Sequence, residues 1–598
     1  MASSEAAGRD LAIATRRFLL VLVKPSHYDD EGYVIQWLRS PIPANSLACL
    51  YGLAEDIQQA RGLGADVDLQ LEAIDETNTR LRPERIAREI ALAGGGMVML
   101  AGVQSNQFPR ALDLARALRT LGVTVAIGGF HVSGTLAMLP GIETGVQKAL
   151  DLGCIIFAGE AEHGRLAQLL TDIMAGEQRP IYNFMDDLPA LEGAPIPRLP
   201  RPILERTFGA NSSFDAGRGC PFQCSFCTII NVQGRKSRRR SPDDIEAIIR
   251  ANYAQGIVSY FITDDNFARN KDWEAIFDRL IWLQEVENIR IRLIIQVDTL
   301  CHRLPGFIDK AARAGVRRAF IGLENISPDN LLAAKKRQNK ITEYRKMLLA
   351  WKAARVITYC GYILGFPNDT PERILRDVET VKRELPVDIL EFFYLTPLPG
   401  SEDHKRLVDA GAWLEPDLNA YDLNHVCATH PLMSRLEWQG AYKAAWKAFY
   451  TYDHVVTVMK RALATRNSPG KVLFFLGWFT GSIAIEDVHP LECGVLRRKV
   501  RRDRRPELPR EPPLLFYPRY WLGTAAKVIR WAAVFGRFAP AYYWLKLRRR
   551  GYAYSDAALA AVSDHDEDDL GLFQTDEAKA YVVQQRHFAE VRASASAH

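Results

Sequence analysis

Residues 217–230 read GRGCPFQCSFCTII, and three cysteines fall within eight positions of this stretch, spaced C-x-x-x-C-x-x-C. A disulfide framework needs an even number of thiols, and a structural zinc site needs four ligands. The nearest other cysteines, Cys154 and Cys301, are far away in the sequence. The stretch therefore predicts a cofactor that accepts three thiolate ligands, and zinc binding or chance clustering is the alternative.

The totals place the chain among ordinary globular proteins. Its 598 residues are too many for one core and predict about three or four domains. The first twelve residues, MASSEAAGRDLA, lack the apolar core of an export signal, and no apolar run reaches the roughly 18 residues that cross a membrane. The sequence therefore indicates a cytoplasmic protein whose thiols serve metals or catalysis.

Two long regions alternate strand and helix patterns. After a tail at 1–16, residues 17–165 combine apolar runs with helical patterns and predict a parallel, doubly wound sheet. Residues 166–210 contain six prolines and predict a linker. Residues 211–400 contain six strand patterns separated by helical patterns, which predicts a partial (β/α)6 barrel. The strand patterns are SSFDAG, SYFIT, RIRLIIQV, RRAFIGLE, YCGYILGF and ILEFFYLT.

The last third of the chain lacks this alternation. Residues 401–562 are predicted to be mostly helical, with a basic break, RRKVRRDRRPELPR, at 497–510. Residues 563–598 form a tail that is acidic and then small and polar, and it is expected to fray. The predicted fold class is therefore α/β, with a doubly wound domain, a central partial barrel and a helical C-terminal region.

The cysteine spacing, with an aromatic residue before the last cysteine at the mouth of a partial barrel, resembles the radical S-adenosylmethionine enzymes. The resemblance covers roughly residues 210–400. It implies that Cys220, Cys224 and Cys227 hold a 4Fe–4S cluster whose fourth iron binds S-adenosyl-L-methionine. It also implies reductive cleavage to a 5′-deoxyadenosyl radical, with an external electron donor such as flavodoxin or ferredoxin.

The same resemblance implies further contacts to S-adenosyl-L-methionine at the carboxyl ends of the barrel strands. Where the family commonly has Gly-Gly-Glu, this chain has TDDN at 263–266, which lacks the glycines but keeps acceptors for an ammonium group. For each acid, a helix cap or a surface turn is the alternative. The implied contact residues are Phe226, Asp264, Asp265, Asn266, Asp298, Glu324, Gly361, Ile363 and Gly365.

An α/β domain before such a barrel resembles the cobalamin-binding members of this family. The D-x-H-x-x-G signature is absent, because Gly32 lies at the wrong spacing from His27. Either the cobalt has no histidine ligand from the protein, or the domain only docks on the barrel. The glycine pair 128–129 is implied to admit the nucleotide tail of the cofactor. The implied contact residues are Gln104, Ser105, Gly128, Gly129, His131, Gly159 and Glu160.

The C-terminal region combines basic and aromatic residues. In 516–550, Lys527, Arg530, Arg537 and Lys546 are spaced among tryptophans, tyrosines and phenylalanines. Together with the stretch 497–510, this favours peripheral attachment to the inner face of a membrane. A helical cap with solvated arginines is an equal alternative, and nucleic-acid binding is less favoured. The histidines of NHVCATHP (424–431) and VHPLECG (488–494) are either cofactor-facing or structural.

Taken together, the resemblance implies a cobalamin-dependent radical enzyme that methylates an unactivated carbon of a small, lipid-like or otherwise hydrophobic molecule. Ring closure or rearrangement with the same cofactors is the second hypothesis. A non-catalytic sensor that binds the cluster and cobalamin is the third. A methylthiotransferase is disfavoured, because its additional N-terminal cysteine triad and RNA-binding barrel are not visible.

Overall fold

A computed structural model describes residues 16–548, 552–563 and 565–596. The predicted N-terminal tail, apart from its last residue, therefore lies outside the described residues. The strands are β1 Arg16–Lys24, β2 Gln36–Arg39, β3 Val67–Asp75, β4 Gly96–Leu100, β5 Thr124–Gly128, β6 Ile155–Ala158, β7 Ile181–Asn183, β8 Ser212–Phe214, β9 Gly217–Arg218, β10 Arg238–Arg239, β11 Ser259–Ile262, β12 Arg292–Val297, β13 Val316–Glu324, β14 Ile357–Leu364, β15 Ile389–Tyr394 and β16 Val495–Arg498.

The helices fill the connections and most of the C-terminal third. Short 3-10 turns and one π-helical turn, Ser482–Glu486, complete the secondary structure. The α-helices are α1 Asn45–Gln59, α2 Pro83–Ala93, α3 Phe108–Thr120, α4 Phe130–Met138, α5 Thr144–Asp151, α6 Arg165–Ala175, α7 Arg201–Leu204, α8 Ile229–Val232, α9 Pro242–Tyr253, α10 Trp273–Glu285, α11 Phe307–Arg313, α12 Pro328–Ala333, α13 Ile341–Ala353, α14 Pro371–Glu384, α15 Glu402–Asp409, α16 Arg435–Phe449, α17 Tyr452–Ala464, α18 Pro469–Gly481, α19 Pro513–Leu547, α20 Asp566–Asp569 and α21 Asp576–Ser596.

The N-terminal domain is a parallel sheet with the strand order β3-β1-β4-β5-β6-β7. Strand β1 is apolar on both faces because both faces are covered by helices. Its residues Leu20 and Leu22 belong to one buried core, whereas Val21 and Val23 belong to the other. The predicted doubly wound domain is therefore confirmed. The strand order reverses beside β1, which is where such sheets bind ligands.

The central domain is a second parallel sheet, with the order β15-β14-β13-β12-β11-β8. These six strands correspond to the six predicted patterns, so the partial barrel is confirmed. Two of its helices, α9 and α14, begin at residues whose side chains cap them. The Ser241 hydroxyl accepts a hydrogen bond from the Asp244 N–H at 3.1 Å, and the Thr370 hydroxyl accepts one from the Arg373 N–H at 3.3 Å.

The helical C-terminal region closes the open edge of this barrel. The outer carbonyls of β15 would otherwise be unpaired. The Tyr450 hydroxyl donates to Leu390 O at 2.8 Å, and the Tyr442 hydroxyl donates to Phe392 O at 3.4 Å. The ring nitrogen His489 Nε2 also lies 3.1 Å from Phe392 O. The last third of the chain thus covers the edge strand of the partial barrel, as two further strands would in a complete barrel.

Several charges of the basic stretch 497–510 are paired with acids elsewhere in the protein. Strand β16 pairs antiparallel with β2 of the N-terminal domain. Arg497 and Lys499 both form ion pairs with Asp29, and Arg505 pairs with Asp417. The charges of this stretch therefore join the C-terminal region to the rest of the protein.

The expectation that the acidic tail frays is also wrong. Helices α20 and α21 fold back onto the barrel. The backbone N–H groups of Gly571 and Leu572 donate to the buried carboxylate of Glu384 at 2.9 and 2.8 Å. Ala578 and Val582 of α21 are buried against the barrel core. The tail was misjudged because its few apolar residues are spaced among many polar ones.

Candidate functional site

The cysteine loop lies between the two-residue strand β9 and the short helix α8, at the carboxyl edge of the barrel. Gly219 has a φ angle of +87°, and a Cβ atom there would lie 2.5 Å from Lys236 O, so this turn requires glycine. The backbone N–H of Cys220 donates to Gly234 O at 3.2 Å. A tight turn at Gly219 therefore leads into the three cysteines.

The three thiols fit a cationic cofactor. Burial is the largest cause that raises the pKa of Cys220 to about 11 and of Cys227 to about 12, and the neighbouring thiols and Asp265 raise both further. Such thiols ionise only beside positive charge. No group of three or more His, Cys, Asp or Glu side chains in the described part of the chain is arranged to hold a single metal ion. In an iron–sulfur cubane each cysteine binds a different iron atom, so three cysteines that do not surround a single ion are compatible with a cluster.

A buried lysine and a buried amide stand beside the cysteines. Lys336 forms an ion pair with Glu324, the last residue of β13, and is electrostatically coupled to Cys224 and Cys227. The Gln338 side chain donates to the Cys224 sulfur at 3.4 Å. Glu324 was predicted to contact S-adenosyl-L-methionine, and here its partner is Lys336. Sequence reasoning missed Lys336 and Gln338, because their loop carries no motif.

The end of strand β14 is shaped by Trp438 of the C-terminal region. Gly365 has a φ angle of +106°, and a Cβ atom there would lie 1.9 Å from the Trp438 ring. The Trp438 indole N–H donates to Leu364 O at 3.2 Å. Phe226 from the cysteine loop packs against a small apolar cluster that includes Ile363 of the same strand. The predicted residues Phe226, Ile363 and Gly365 therefore meet at one place.

Asp264 is committed to the backbone rather than free for a ligand. Its carboxylate accepts hydrogen bonds from the N–H groups of Ala216 and Gly217 at 2.7 and 2.8 Å, and from the Asn270 amide at 3.2 Å. These contacts brace the chain just before the cysteine loop. For Asp264 the structure therefore favours the alternative role, in which the carboxylate stabilises a turn.

Asp298 and Asn266 are likewise engaged within the protein. Arg269 donates two hydrogen bonds to Asp298, at 2.6 and 2.9 Å, and the Asn266 amide donates a third at 2.9 Å. The Arg269 guanidinium lies 5.6 Å from the ring centre of Phe222 in the cysteine loop. The ion pair of Arg269 and Asp298 therefore packs against the cysteine loop. A direct contact of Asp298 or Asn266 with S-adenosyl-L-methionine stays a prediction.

Asp265 is the acid of this strand end that remains accessible. Its neighbours Asp264, Asn266 and Asp298 are buried. Among the described residues, the Asp265 carboxylate accepts a hydrogen bond only from its own backbone N–H. Desolvation by the surrounding protein raises the pKa of Asp265 to about 7. The negative charge of its carboxylate in turn raises the pKa of the Cys220 and Cys227 thiols. Of the predicted acids, Asp265 is best placed to accept an ammonium group beside the cysteines.

The glycine turns at the carboxyl edge of the N-terminal sheet lie against backbone. A Cβ atom on Gly129, whose φ angle is +140°, would lie 2.1 Å from Val103 N. A side chain there would therefore disrupt the edge itself, a different steric reason from the one expected. Gly128 lies next to the Phe157 carbonyl, and Gly159 N–H donates to the Ser133 hydroxyl at 3.0 Å. The turns present bare backbone, which suits close approach of a corrinoid.

Two of the side chains predicted to contact cobalamin are turned inward. The Ser105 hydroxyl lies 3.2 Å from His131 Nδ1, and His131 Nε2 lies 3.8 Å from the Glu143 carboxylate. Both Ser105 and His131 are buried, whereas Gln104 is exposed at the same edge. Contact of these residues with a corrinoid remains a prediction, and Gln104 is the one with a free surface.

Glu160, also predicted to contact cobalamin, instead joins the two domains. Its carboxylate pairs with Arg218, which precedes the cysteine turn, at 2.8 Å. The same guanidinium pairs with Glu162 at 2.7 Å and with Asp215 at 3.1 Å. Burial alone would raise the pKa of Asp215, but Arg218 and Arg240 lower it to about 2. This network holds the carboxyl edges of the two sheets together.

A buried carboxyl group without a hydrogen-bond partner lies on the barrel strand β15. Neither side-chain oxygen of Glu391 has a hydrogen-bond partner among the described residues. Glu391 is paired in register with Gly361 of β14 and lies one pleat below Phe393 on the same face. His489 Nδ1 lies 3.8 Å away. Burial raises the pKa of Glu391 to about 8 and lowers that of His489 to about 4, so both are neutral at neutral pH.

Replacing Glu391 with glutamine is expected to flatten the pH dependence of stability. The pKa of Glu391 is higher in the folded state than in the unfolded state, so protonation of this carboxyl group stabilises the fold. The contribution is fully present below the unfolded pKa of about 4.3 and is lost as pH rises through about 8. Stability then falls by up to about 1.4 kcal/mol per pH unit between these values. The melting temperature of Glu391→Gln relative to wild type should therefore rise by a few degrees between pH 5 and 8. A constant difference across this range would contradict the assignment.

The central region matches a known family model. Residues 216–381 match the model described as the Radical SAM superfamily. This segment contains the cysteine loop and β11 to β14.

Two curated relatives extend the similarity beyond the barrel. The bacteriochlorophyllide d C-8(2)-methyltransferase of Chlorobaculum tepidum is 25% identical over 392 residues, which is 62% of this chain and 81% of that protein. The hopanoid C-2 methylase of Rhodopseudomonas palustris is 26% identical over 306 residues, which is 50% of this chain and 55% of that protein. The chain thus spans most of one relative and about half of the other.

One solved structure has a similar overall fold. The radical S-adenosylmethionine methyltransferase TsrM from Kitasatospora setae, solved with cobalamin and a [4Fe-4S] cluster, superposes with a TM-score of 0.55 at 16% identity. The match covers 77% of this chain and 99% of that one. At this identity the match establishes the fold, including the succession of a doubly wound domain and a partial barrel.

Proposed function

Because the chain belongs to the cobalamin-binding radical S-adenosylmethionine enzymes, we propose that it methylates an unactivated carbon of a hydrophobic metabolite. The expected cofactors are a 4Fe–4S cluster, S-adenosyl-L-methionine and cobalamin, as in its relatives. When bound, these groups supply hydrogen-atom abstraction and the methyl group that is transferred. The protein positions them and keeps water out.

One observation carries the proposal: the cysteine loop faces the carboxyl edge of the doubly wound domain. Helix α4, which follows the glycine pair of that edge, meets the loop after β15, since a Cβ atom on Gly134 would lie 2.8 Å from the Gly400 Cα atom. Arg218 ties the same edge to the start of the cysteine loop. A corrinoid held at one edge and a cluster held at the other would thus face a common space.

Each side chain near this space has a proposed task. Cys220, Cys224 and Cys227 hold the cluster, and Asp265 accepts the ammonium group of S-adenosyl-L-methionine. Phe226, Ile363 and Trp438 form an apolar wall near the cluster that excludes water. Lys336 places a positive charge beside the thiolates.

We also propose that the substrate is lipid-like and that the protein works on the inner face of a membrane, with flavodoxin or ferredoxin as electron donor. The hopanoid methylase is a relative that acts on a lipid, which supports a substrate of this class. The other relative is named as a methyltransferase of bacteriochlorophyllide d, a molecule with a large ring system. A hydrophobic substrate would be met at or near a bilayer.

The proposal is tested in the native host. A deletion strain carrying either the intact gene or the Cys224→Ala variant is grown with methionine whose methyl group is deuterated. Mass spectrometry of the organic extracts should show a compound that gains one trideuteromethyl group at a carbon only in the strain with the intact gene. Identical extracts from the two strains would count against methylation.

A further inference from the structure

Helix α19 packs against the protein with one face only. It runs for 35 residues from Pro513 to Leu547, which is about 50 Å. Its inner face lies on α18, where glycines allow close approach. A Cβ atom on Gly481 would lie 2.3 Å from the Trp531 ring, and one on Gly477 would lie 2.5 Å from the Phe535 ring. The helix is therefore a fixed part of the fold.

The opposite face is exposed and apolar along the whole helix. Its large side chains follow one another at helical spacing, so they form a single stripe. Leu522 is 72% exposed and Ile529 is 69% exposed. A stripe of this size on a soluble surface marks an interaction site. Its exposed large members include Leu514, Leu515, Tyr517, Trp521, Leu522, Val528, Ile529, Tyr543 and Leu547.

Basic residues run along one side of this stripe. Arg519, Arg530 and Arg537 are eleven and seven residues apart, which are whole numbers of helical turns, so they form one row. Residues 513–547 contain no Asp or Glu. The helix therefore combines an apolar face, aromatic rings and positive charge, and it has no acidic residue that an anionic surface would repel.

The length and charge of the helix determine what can cover it. No helix of the described residues is long and apolar enough to cross a membrane. An amphipathic helix with a basic flank and exposed Trp and Tyr suits the boundary between lipid headgroups and acyl chains. At its border the Arg519 side chain is 68% exposed, beside Glu31 and Glu511 at 3.8 and 3.9 Å, and is long enough to reach the phosphates. We propose that the outer face of α19 lies in the plane of an anionic phospholipid bilayer and attaches the protein to it.

Of the two segments that the sequence suggested, the one that contains α19 offers this surface, and the other is more engaged within the protein. In the stretch 497–510, Arg497 and Lys499 pair with Asp29 and Arg505 pairs with Asp417, so part of its charge is neutralised within the protein. Attachment is therefore expected to depend mainly on apolar insertion and only partly on salt. It rests on the location given in the proposed function but not on methyl transfer, because binding can be measured without turnover.

Flotation of the full-length protein with vesicles tests this proposal. The vesicles are made of equal parts phosphatidylcholine and phosphatidylglycerol. The double variant Trp521→Asp, Ile529→Asp removes two exposed stripe residues and adds repulsive charge. It should lower the vesicle-bound fraction by about tenfold or more. High salt should lower binding of the wild type only in part.

The matched control carries the same chemical change elsewhere. Leu92 and Leu436 are 84% and 79% exposed on helices α2 and α16. The variant Leu92→Asp, Leu436→Asp should float like the wild type, and circular dichroism should show that all three proteins are folded. The proposal fails if the wild type does not float at low salt or if the stripe variant floats equally well. It also fails if the stripe variant turns a dimer into a monomer while vesicle binding is absent, since the face would then join two copies.

Discussion

Replacing Cys224 with alanine is expected to abolish the iron–sulfur cluster and all cleavage of S-adenosyl-L-methionine. A three-cysteine site has no spare ligand, and the sulfur of Cys224 is buried beside Lys336 and Gln338. Cys220→Ala and Cys227→Ala should behave in the same way. Iron counting and absorbance after anaerobic reconstitution measure the cluster, and chromatography of the nucleoside products measures cleavage.

Two other cysteines of the barrel serve as matched controls. Cys301 and Cys360 are buried in the barrel core and lie outside the C-x-x-x-C-x-x-C motif, so neither is expected to bind iron. Cys301→Ala and Cys360→Ala should keep a full cluster, although each leaves a small cavity. A full cluster in Cys224→Ala, or its loss in both controls without unfolding, would overturn the ligand assignment.

Replacing Arg218 with alanine is expected to have the second largest effect. The substitution leaves the buried carboxylates of Glu162 and Asp215 without the guanidinium that pairs with them. Glu162 has no other cationic partner in the described part of the chain. Breaking a buried ion network in this way costs about 3–5 kcal/mol. The melting temperature should fall by several degrees, and cluster content should fall as well, because the cysteine loop begins at the next residues.

The prediction for Arg218 has two comparisons. Arg313→Ala removes an exposed pair with Glu285 and should change the melting temperature little. Arg218→Lys keeps the charge but loses the planar fork that reaches three carboxylates, so it should be intermediate. Equal effects of Arg218→Ala and Arg313→Ala would show that the network does not hold the two domains together.

The sequence was sufficient for the architecture because the relevant signals are local. The six barrel strands are apolar runs bounded by turn residues, and helices α9 and α14 begin at capped Ser-Pro and Thr-Pro pairs. The role of a side chain could not be predicted where its partners are distant in the sequence. Asp264 was predicted to bind a ligand, but its hydrogen bonds to Ala216 and Gly217 depend on how the chain folds back.

The same reason accounts for the residues that were missed or misread. Glu391 lies inside an ordinary apolar strand pattern, and His489 approaches it from a segment almost one hundred residues later. Glu160 was predicted to contact cobalamin because it follows a glycine turn. In the structure its carboxylate forms ion pairs with Arg218 and Arg238 of the barrel domain. Only long-range packing distinguishes a free carboxylate from a paired one.

Analysis of the reaction products is the most direct test of the proposed methyl transfer. The protein is reconstituted with its cluster and cobalamin, reduced without oxygen, and incubated with S-adenosyl-L-methionine and an extract of host membrane lipids. We expect 5′-deoxyadenosine and S-adenosylhomocysteine to accumulate together and only when the lipid extract is present. Formation of 5′-deoxyadenosine without S-adenosylhomocysteine would indicate a different radical reaction, and the absence of both products would contradict an enzymatic role.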